Sequence, residues 1–432
     1  MEYLPILVLV FSFLILLLIG VPVAWSIAIS SLLTMMVSIP FLPALTTVSQ
    51  RIGTGLDSFA LLAIPFFVLS GQLMNKGGIA HRLIDFAKTL VGSLPGGLAL
   101  INVIAAMLMG SIAGSAMASA SAMGSILGPE MEKEGYSKEF GAAVNITSST
   151  IGLIIPPSNV LIIYSLASGG VSIAALFIAG YIPGILTGLF LMLVASFWAK
   201  KKGYKVGKKS TLKEVGSTFI KAFPSLTLLF VVIGGIVGGV FTATEASAVA
   251  VLYTLILGFY YKEIKIKDLP EILLDSCGTT AIVMLLIGAS MSMSWVMSFE
   301  NIPQDISNLL LSLSDNPIVI LLIINLLLLF VGIFMDMTPA ILIFTPIFLP
   351  IISELGMDPI QFGIVMILNL CVGLCTPPVG SVLFVGVGVA NTTIEKVIKP
   401  LLPLFLAMIV SLFLVTYIPE LSLWLPRIFG LI

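Results

Sequence analysis

Charge is scarce in this chain of 432 residues. Only 9% are Asp, Glu, Lys or Arg, while 59% are hydrophobic. Soluble domains carry roughly 25% charged residues, so a soluble globular protein is excluded and a polytopic membrane protein is expected. Histidine is all but missing: the single one, His81, stands beside Arg82 in a charged connector and reads as a solvated surface residue. Cysteine is confined to Cys277, Cys371 and Cys375, all in apolar segments. Cys371 and Cys375 share a helix face, but with no histidine cluster they read as packing residues, not metal ligands. H-E-x-x-H, a Walker loop and an acidic pair within a span are also missing, so neither enzyme activity nor a cofactor is expected. The net charge of −1 says nothing about partners, because the charges are segregated; no nucleic-acid partner is expected. The N-terminus lacks the basic n-region and cleavage site of a signal peptide, so "LPILVLVFSFLILLLIGVPVAW" reads as a first span running towards a second.

What is present is apolar sequence in long runs. A span needs about 20 apolar residues. Candidates lie at roughly 3–19, 21–39, 58–75, 171–198, 222–241, 244–261, 275–298 and 398–418. Two further regions are repeatedly broken by Gly, Pro, Ser and Asn. Each reads as a re-entrant hairpin (about 96–131 and about 316–352) followed by a broken span (about 138–167 and about 358–390). The basic loop at 200–213 should face the cytoplasm. Odd crossings in each half then place both termini on the periplasmic side. The same count puts every Lys and Arg except Arg51 and Arg427 on the cytoplasmic side, and leaves "FENIPQDISN" and "SELGMDPIQ" outside.

The halves repeat. "GLIIPPS" at 152–158 returns as "GLCTPPV" at 373–379, an offset of 221 from Pro156 to Pro377. That offset also pairs Pro129 with Pro350, Gly135 with Gly356 and Ser115 with Asp336. The division expected is a first repeat at 1–199, a basic linker at 200–215 and a second repeat at 216–432. An odd number of crossings inverts the second copy. The first hairpin has cytoplasmic ends near Lys88 and Lys133, the second outward ends near Asp315 and Glu354. The fold class is thus an all-α polytopic membrane protein, an inverted repeat with two re-entrant hairpins and two broken transmembrane helices. Such repeats, with broken helices meeting near the midplane, are a pattern of secondary transporters.

The breaks expose backbone. Proline within a helix removes a hydrogen bond and clashes with the preceding turn, at about 3 kcal/mol or more, and lipid offers the freed carbonyls no water. At Pro156–Pro157 the carbonyls of Gly152, Ile154 and Ile155 lose their donors. The helix restarting near Ser158 and Asn159 aims its N-terminus at the same place, which favours an anion. The first hairpin turn, "GSIAGSA", carries Ser111, Gly114 and Ser115. Its carbonyls and hydroxyls suit a monovalent cation such as sodium. Ser119, Ser121 and Ser125 read as packing residues. The second turn, "VGIFMDMTPAILIF", carries Asp336. A carboxylate at the bilayer centre costs about 2.5–3.5 kcal/mol. Asp336 either caps the next helix or binds a cation, and the two roles are compatible. Its partner break holds Gly373, Thr376, Pro377, Pro378 and Ser381. "NITSST" at 145–150 either lines a substrate cavity through Asn145 and Ser148 or is polar glue between helices. Asp57 and Glu245 read as N-terminal dipole partners, and "GG" at 234–235 and 238–239 as close helix packing. Substrate contacts are assigned to Ser111, Asn145, Ser158, Asn159 and Ser381. With no arginine in either turn or break, a carboxylate would be held by helix N-termini and polar side chains.

At these residues the chain resembles the large membrane subunit, DctM type, of a tripartite ATP-independent periplasmic (TRAP) transporter. The resemblance spans nearly the whole length and is strongest in "DSFALLAIPFFVLSGQLMNKGG", "GSIAGSA" and "IPPSNVLIIYSLASGGVSIAALFIAGYIPGI". It implies an elevator-type ion transporter architecture in the bacterial inner membrane, driven by sodium. It implies a transport domain of two hairpins and two broken helices that slides against a scaffold. It implies a small DctQ-type membrane subunit, here a separate chain, and a DctP-type periplasmic substrate-binding protein. Its substrates are organic acids: C4-dicarboxylates, sialic acid, sugar acids or keto acids. Ser115 with the backbone of Gly152, Ile155 and Pro157 resembles the family's first sodium site. Asp336 with Gly373, Thr376 and Pro378 resembles the second. "GIAHRLIDFAKTLVGSLPGG" resembles the arm helix that carries the moving domain. The alternative reading is a free-standing sodium:divalent-anion symporter of the same architecture.

Overall fold

The computed structural model describes residues 4–204, 207, 210–314 and 316–432; Asp315 and, in the basic loop, Lys205, Lys208 and Lys209 lie outside the described residues. Every regular element among the described residues is helical, and eight helices are long and apolar enough to cross a membrane. Leu18, Phe197 and Phe230, each more than 70% exposed, belong to the apolar outer surface that lipid would cover.

Helix starts follow local chemistry. Thr211 and Thr242 each open a helix with a capping box, reciprocated by Glu214 and Glu245. Asn316 and Asp358 cap helices whose first residue is proline, where no N–H is lost. Three helices were not anticipated: Phe41–Gly55, Ile302–Leu313 and Glu420–Ile428. Each is apolar on one side only, so none contains a spanning run. Ile302–Leu313 buries Ile302, Ser307 and Leu310 and exposes Leu309 and Leu313; it begins inside what reads as the polar connector "FENIPQDISN". The glycine quartet also reads differently. Gly239, at φ +68, turns the chain after Leu212–Val237, Gly235 lies under the Phe241 ring, and no neighbour lies within 4 Å of a Cβ placed on Gly234. These glycines end a helix; they do not seat another.

From Ile79 on, the halves run in parallel order. The arm Ile79–Val91 is matched by Ile302–Leu313, and the hairpin Gly97–Ala113/Ala116–Lys133 by Pro317–Phe334/Met337–Glu354. The broken helix Lys138–Ile151/Asn159–Ala167 is matched by Pro359–Leu374/Ser381–Val389. Each hairpin packs on the long part of its own broken helix, while the short parts cross over. Asn159–Ala167 packs on Met337–Glu354, and Ser381–Val389 packs on Ala116–Lys133. Around this core, Ala63–Lys76 lies against the first hairpin and Leu269–Phe299 against the second.

The crossing is held by close fits. Tyr164 is fully buried and its hydroxyl donates to the Pro359 carbonyl at 2.6 Å. Its ring covers Gly363, where a Cβ would come within 2.4 Å of it. On the other side a Cβ on Gly386 would meet Ile146 at 2.2 Å. Tyr164→Phe keeps the ring and removes the hydroxyl's bond to the Pro359 carbonyl, which the helix Pro359–Leu374 still satisfies from within. It should cost about 1 kcal/mol, read as a small fall in the midpoint of thermal unfolding in detergent.

Candidate functional site

The hairpin tips are built alike. Gly114, at φ +61, ends the first descending leg. Ser115 caps the returning leg, its hydroxyl accepting from the Ala118 N–H at 3.3 Å. Asp336 occupies the same position in the second hairpin; its carboxylate lies at the Met337 N–H and does not make the bond to the third helical N–H that Ser115 makes, and its carbonyl receives the Ala340 N–H at 3.3 Å. The two tips meet: Ser115 and Asp336 line one cavity of about 60 Å³, closed by Leu153, Leu374, Thr338 and Val382.

Behind each tip a glycine pair brings hairpin and broken helix into backbone contact. A Cβ on Gly152 would lie 2.5 Å from the Gly110 Cα, and one on Gly373 would lie 2.6 Å from the Gly332 Cα. In the first break, the N–H groups of Leu153 and Ile154 turn back to Thr150 and Ile151, and the Ser158 hydroxyl donates to the Leu153 carbonyl. The Ile154 carbonyl faces Gly180 of Ile173–Lys202, at 2.2 Å from a Cβ placed there, and so points to that helix. In the second break, Gly380 donates to the Ile333 carbonyl at 3.1 Å, tying the break to the hairpin. The Leu374 and Thr376 carbonyls both lie 2.8 Å from a Cβ placed on Gly380, so they converge. The Gly373 carbonyl accepts the Thr376 N–H at 2.9 Å, and the Thr376 hydroxyl donates to Val372. Both Pro-Pro bonds are cis. Pro157 is half-buried and Pro378 exposed.

A second cavity, of about 240 Å³, lies between the tips and the outer helices. Ser115, Asn159 and Thr338 face it from one side, Gln72, Asn75 and Thr279 from the other. The Asn159 amide rests on the first tip, 2.5 Å from a Cβ placed on Gly114. The Ser381 hydroxyl, at the start of the second short helix, is buried without a partner.

Two of the residues expected at the substrate make bonds within the helix framework. The Ser111 hydroxyl donates to the Leu108 carbonyl one turn back and reaches neither cavity. Asn145 donates to the Ala120 carbonyl at 2.7 Å, binding the broken helix to the returning leg. It also lines a cavity of about 140 Å³ with Asn102 and Gly386, and Ser148 donates to Val144 and to Asn102. Asn369 repeats the device on Asn325, at 2.8 Å. Cys371 and Cys375 contact Thr150 in the same buried seam. Sequence reasoning missed Leu374, Thr338, Gln72, Asn75 and Thr279. Leu374 offers a carbonyl, which no side-chain pattern reveals, and the last three lie on helices that read as plain spans. Among the described residues no three His, Cys, Asp or Glu side chains come together. The donors that converge are carbonyls, hydroxyls and one carboxylate.

Residues 10–421 match the family described as the DctM component of the tripartite ATP-independent periplasmic transporters. The Salmonella typhimurium protein YgiK is 56% identical over 99% of both chains. The sialic acid TRAP transporter large permease SiaM of Vibrio cholerae is 38% identical, over 97% of this chain and 98% of that one. The C4-dicarboxylate TRAP transporter large permease DctM of Pseudomonas aeruginosa is 40% identical, over 87% of this chain and 88% of that one. Among solved structures, the YdaH transporter of Alcanivorax borkumensis superposes with a TM-score of 0.66 at 14% identity, covering 88% of this chain and 89% of that one. That likeness shows a shared fold.

Proposed function

We propose, from the premise that this chain belongs to the DctM component family of tripartite ATP-independent periplasmic transporters, that it couples sodium entry to uptake of a small organic acid. Relatives carry sialic acid and C4-dicarboxylates, and both substrates are carboxylates. The observation that carries the reading is the meeting of the tips. A carboxylate, Asp336, and the Ser115 hydroxyl line one cavity of about 60 Å³. A carboxylate set in an apolar hairpin beside carbonyls and a hydroxyl calls for a cation, and hard oxygen donors suit sodium.

Around the cation, Ser115 with the Gly152, Ile155 and Pro157 backbone makes one candidate site. Asp336 with Gly373, Leu374, Thr376 and Pro378 makes the other. The short helices start at Ser158–Asn159 and at Ser381, and their free N–H groups favour the substrate anion. Each ligand thereby offsets the charge of the other, which couples them. The hairpins and broken helices form the moving transport domain, the two repeats enter from opposite faces, and the outer helices form the scaffold of an elevator. The chain sits in the bacterial inner membrane with both termini periplasmic. It works with a separate small membrane subunit and a periplasmic binding protein.

The test is uptake into proteoliposomes holding this chain and the small subunit, with the binding protein outside. Uptake should require an inward sodium gradient and all three proteins. Uptake by this chain alone would favour the free-standing symporter instead. Asn159→Ala should raise the substrate KM about tenfold and leave the sodium dependence in place, measured in the same vesicles.

A further inference from the structure

A further cavity lies away from the hairpin tips. It measures about 990 Å³ and opens where the arm Ile79–Val91 leaves Ala63–Lys76 and faces Leu212–Val237 and the end of Ala243–Tyr260. Its polar wall holds Arg82, Lys221 and Tyr261. The Arg82 guanidinium lies 3.5 Å over the Tyr261 ring. One of its N–H groups donates to the Gly78 carbonyl at 2.7 Å, and among the described residues the guanidinium makes no ion pair. The Tyr261 hydroxyl is buried with no partner among the described residues. Lys221 makes no ion pair among the described residues. The rim is apolar and open: Ile220 is 72%, Phe223 54% and Tyr260 76% exposed. Lys and Arg cluster at this end of the bundle, which the positive-inside rule assigns to the cytoplasmic leaflet.

We propose that this cavity binds the headgroup of an anionic phospholipid of the inner leaflet. The phosphate accepts from the Arg82 fork, the Tyr261 hydroxyl and Lys221, and the acyl chains run along Ile220, Phe223 and Tyr260. The apolar rim selects the lipid over a soluble phosphate, which would leave it bare. The wall also holds Asp85 and Glu263. They disfavour a multiply charged inorganic phosphate more than a singly charged diester, and they accept hydrogen bonds from a glycerol headgroup. The lipid would bridge the arm and the helix Leu212–Val237, the contact already made by Phe86 on Phe219 at 5.5 Å.

The test uses the purified full-length chain in vesicles of phosphatidylcholine, with phosphatidylglycerol titrated in and retention read by native mass spectrometry and thermal unfolding. Phosphatidylglycerol should be retained and should raise the unfolding midpoint; phosphatidylcholine and inorganic phosphate should do neither. Arg82→Gln and Lys221→Gln should each weaken retention by about fivefold to tenfold. Arg82 also bonds Gly78, so Lys221→Gln, exposed and without ion pairs, keeps the test independent of folding. The proposal is overturned if Lys221→Gln retains phosphatidylglycerol like the parent or if inorganic phosphate stabilises equally. It is also overturned if the small membrane subunit displaces the lipid in the complete assembly.

Discussion

Asp336→Asn should cut sodium-driven uptake by about 100-fold or more while the protein purifies and unfolds like the parent. The amide matches the carboxylate in size, so the tip keeps its shape. The amide oxygen can still accept from the Met337 N–H, so the start of the helix Met337–Glu354 is kept. What disappears is the charge. Two unit charges about 4 Å apart attract by about 4 kcal/mol at an effective dielectric of 20, and a neutral oxygen restores only part of that. The measurement is uptake against sodium concentration, with sodium-dependent thermal stabilisation as a second readout free of transport. Ser115→Ala should be milder, because a hydroxyl is one neutral donor among several carbonyls. Unchanged sodium dependence in Asp336→Asn would remove the second cation site from this tip.

Much of this site could be read from residues close together in the chain. The paired prolines mark both breaks because no span tolerates them silently. Asp336 stands out because an ionised group in an apolar run has few structural excuses. The crossing of the short helices could not be read. It depends on Tyr164 meeting Gly363 and Pro359, about 200 residues away, and such a pairing leaves no local pattern. The bonds of Ser111 and Asn145 could not be read for a different reason. A hydroxyl or amide in a helix is as readily satisfied by its own or a neighbouring carbonyl as by a ligand, and spacing does not say which. Leu374 was invisible because its contribution is a carbonyl. Ile302–Leu313 was hidden because only one of its faces is apolar.

Gly373→Ala is expected to have the largest effect on assembly. The added methyl would sit 2.6 Å from the Gly332 Cα, 2.7 Å from its carbonyl carbon and 3.0 Å from its oxygen. All three atoms are backbone, so no side chain can turn away. Overpacking typically costs 1–3 kcal/mol, and a backbone wedge belongs at or above the top of that range. Gly152→Ala makes the same wedge in the first repeat, 2.5 Å from the Gly110 Cα, and should behave alike. Gly278→Ala is the control: it lies exposed in Leu269–Phe299, and a Cβ there meets nothing within 4 Å. That change should be neutral or stabilise by up to about 1 kcal/mol through helix propensity. Thermal unfolding of the three variants, each with and without sodium, separates the effects. A loss of both stability and sodium response in the two wedge variants would mean that the glycine contacts hold the tips in register with the carbonyls of the breaks. If Gly373→Ala unfolds like the parent, hairpin and broken helix are not one unit, and the cavity between Ser115 and Asp336 must be supported from the short helices alone.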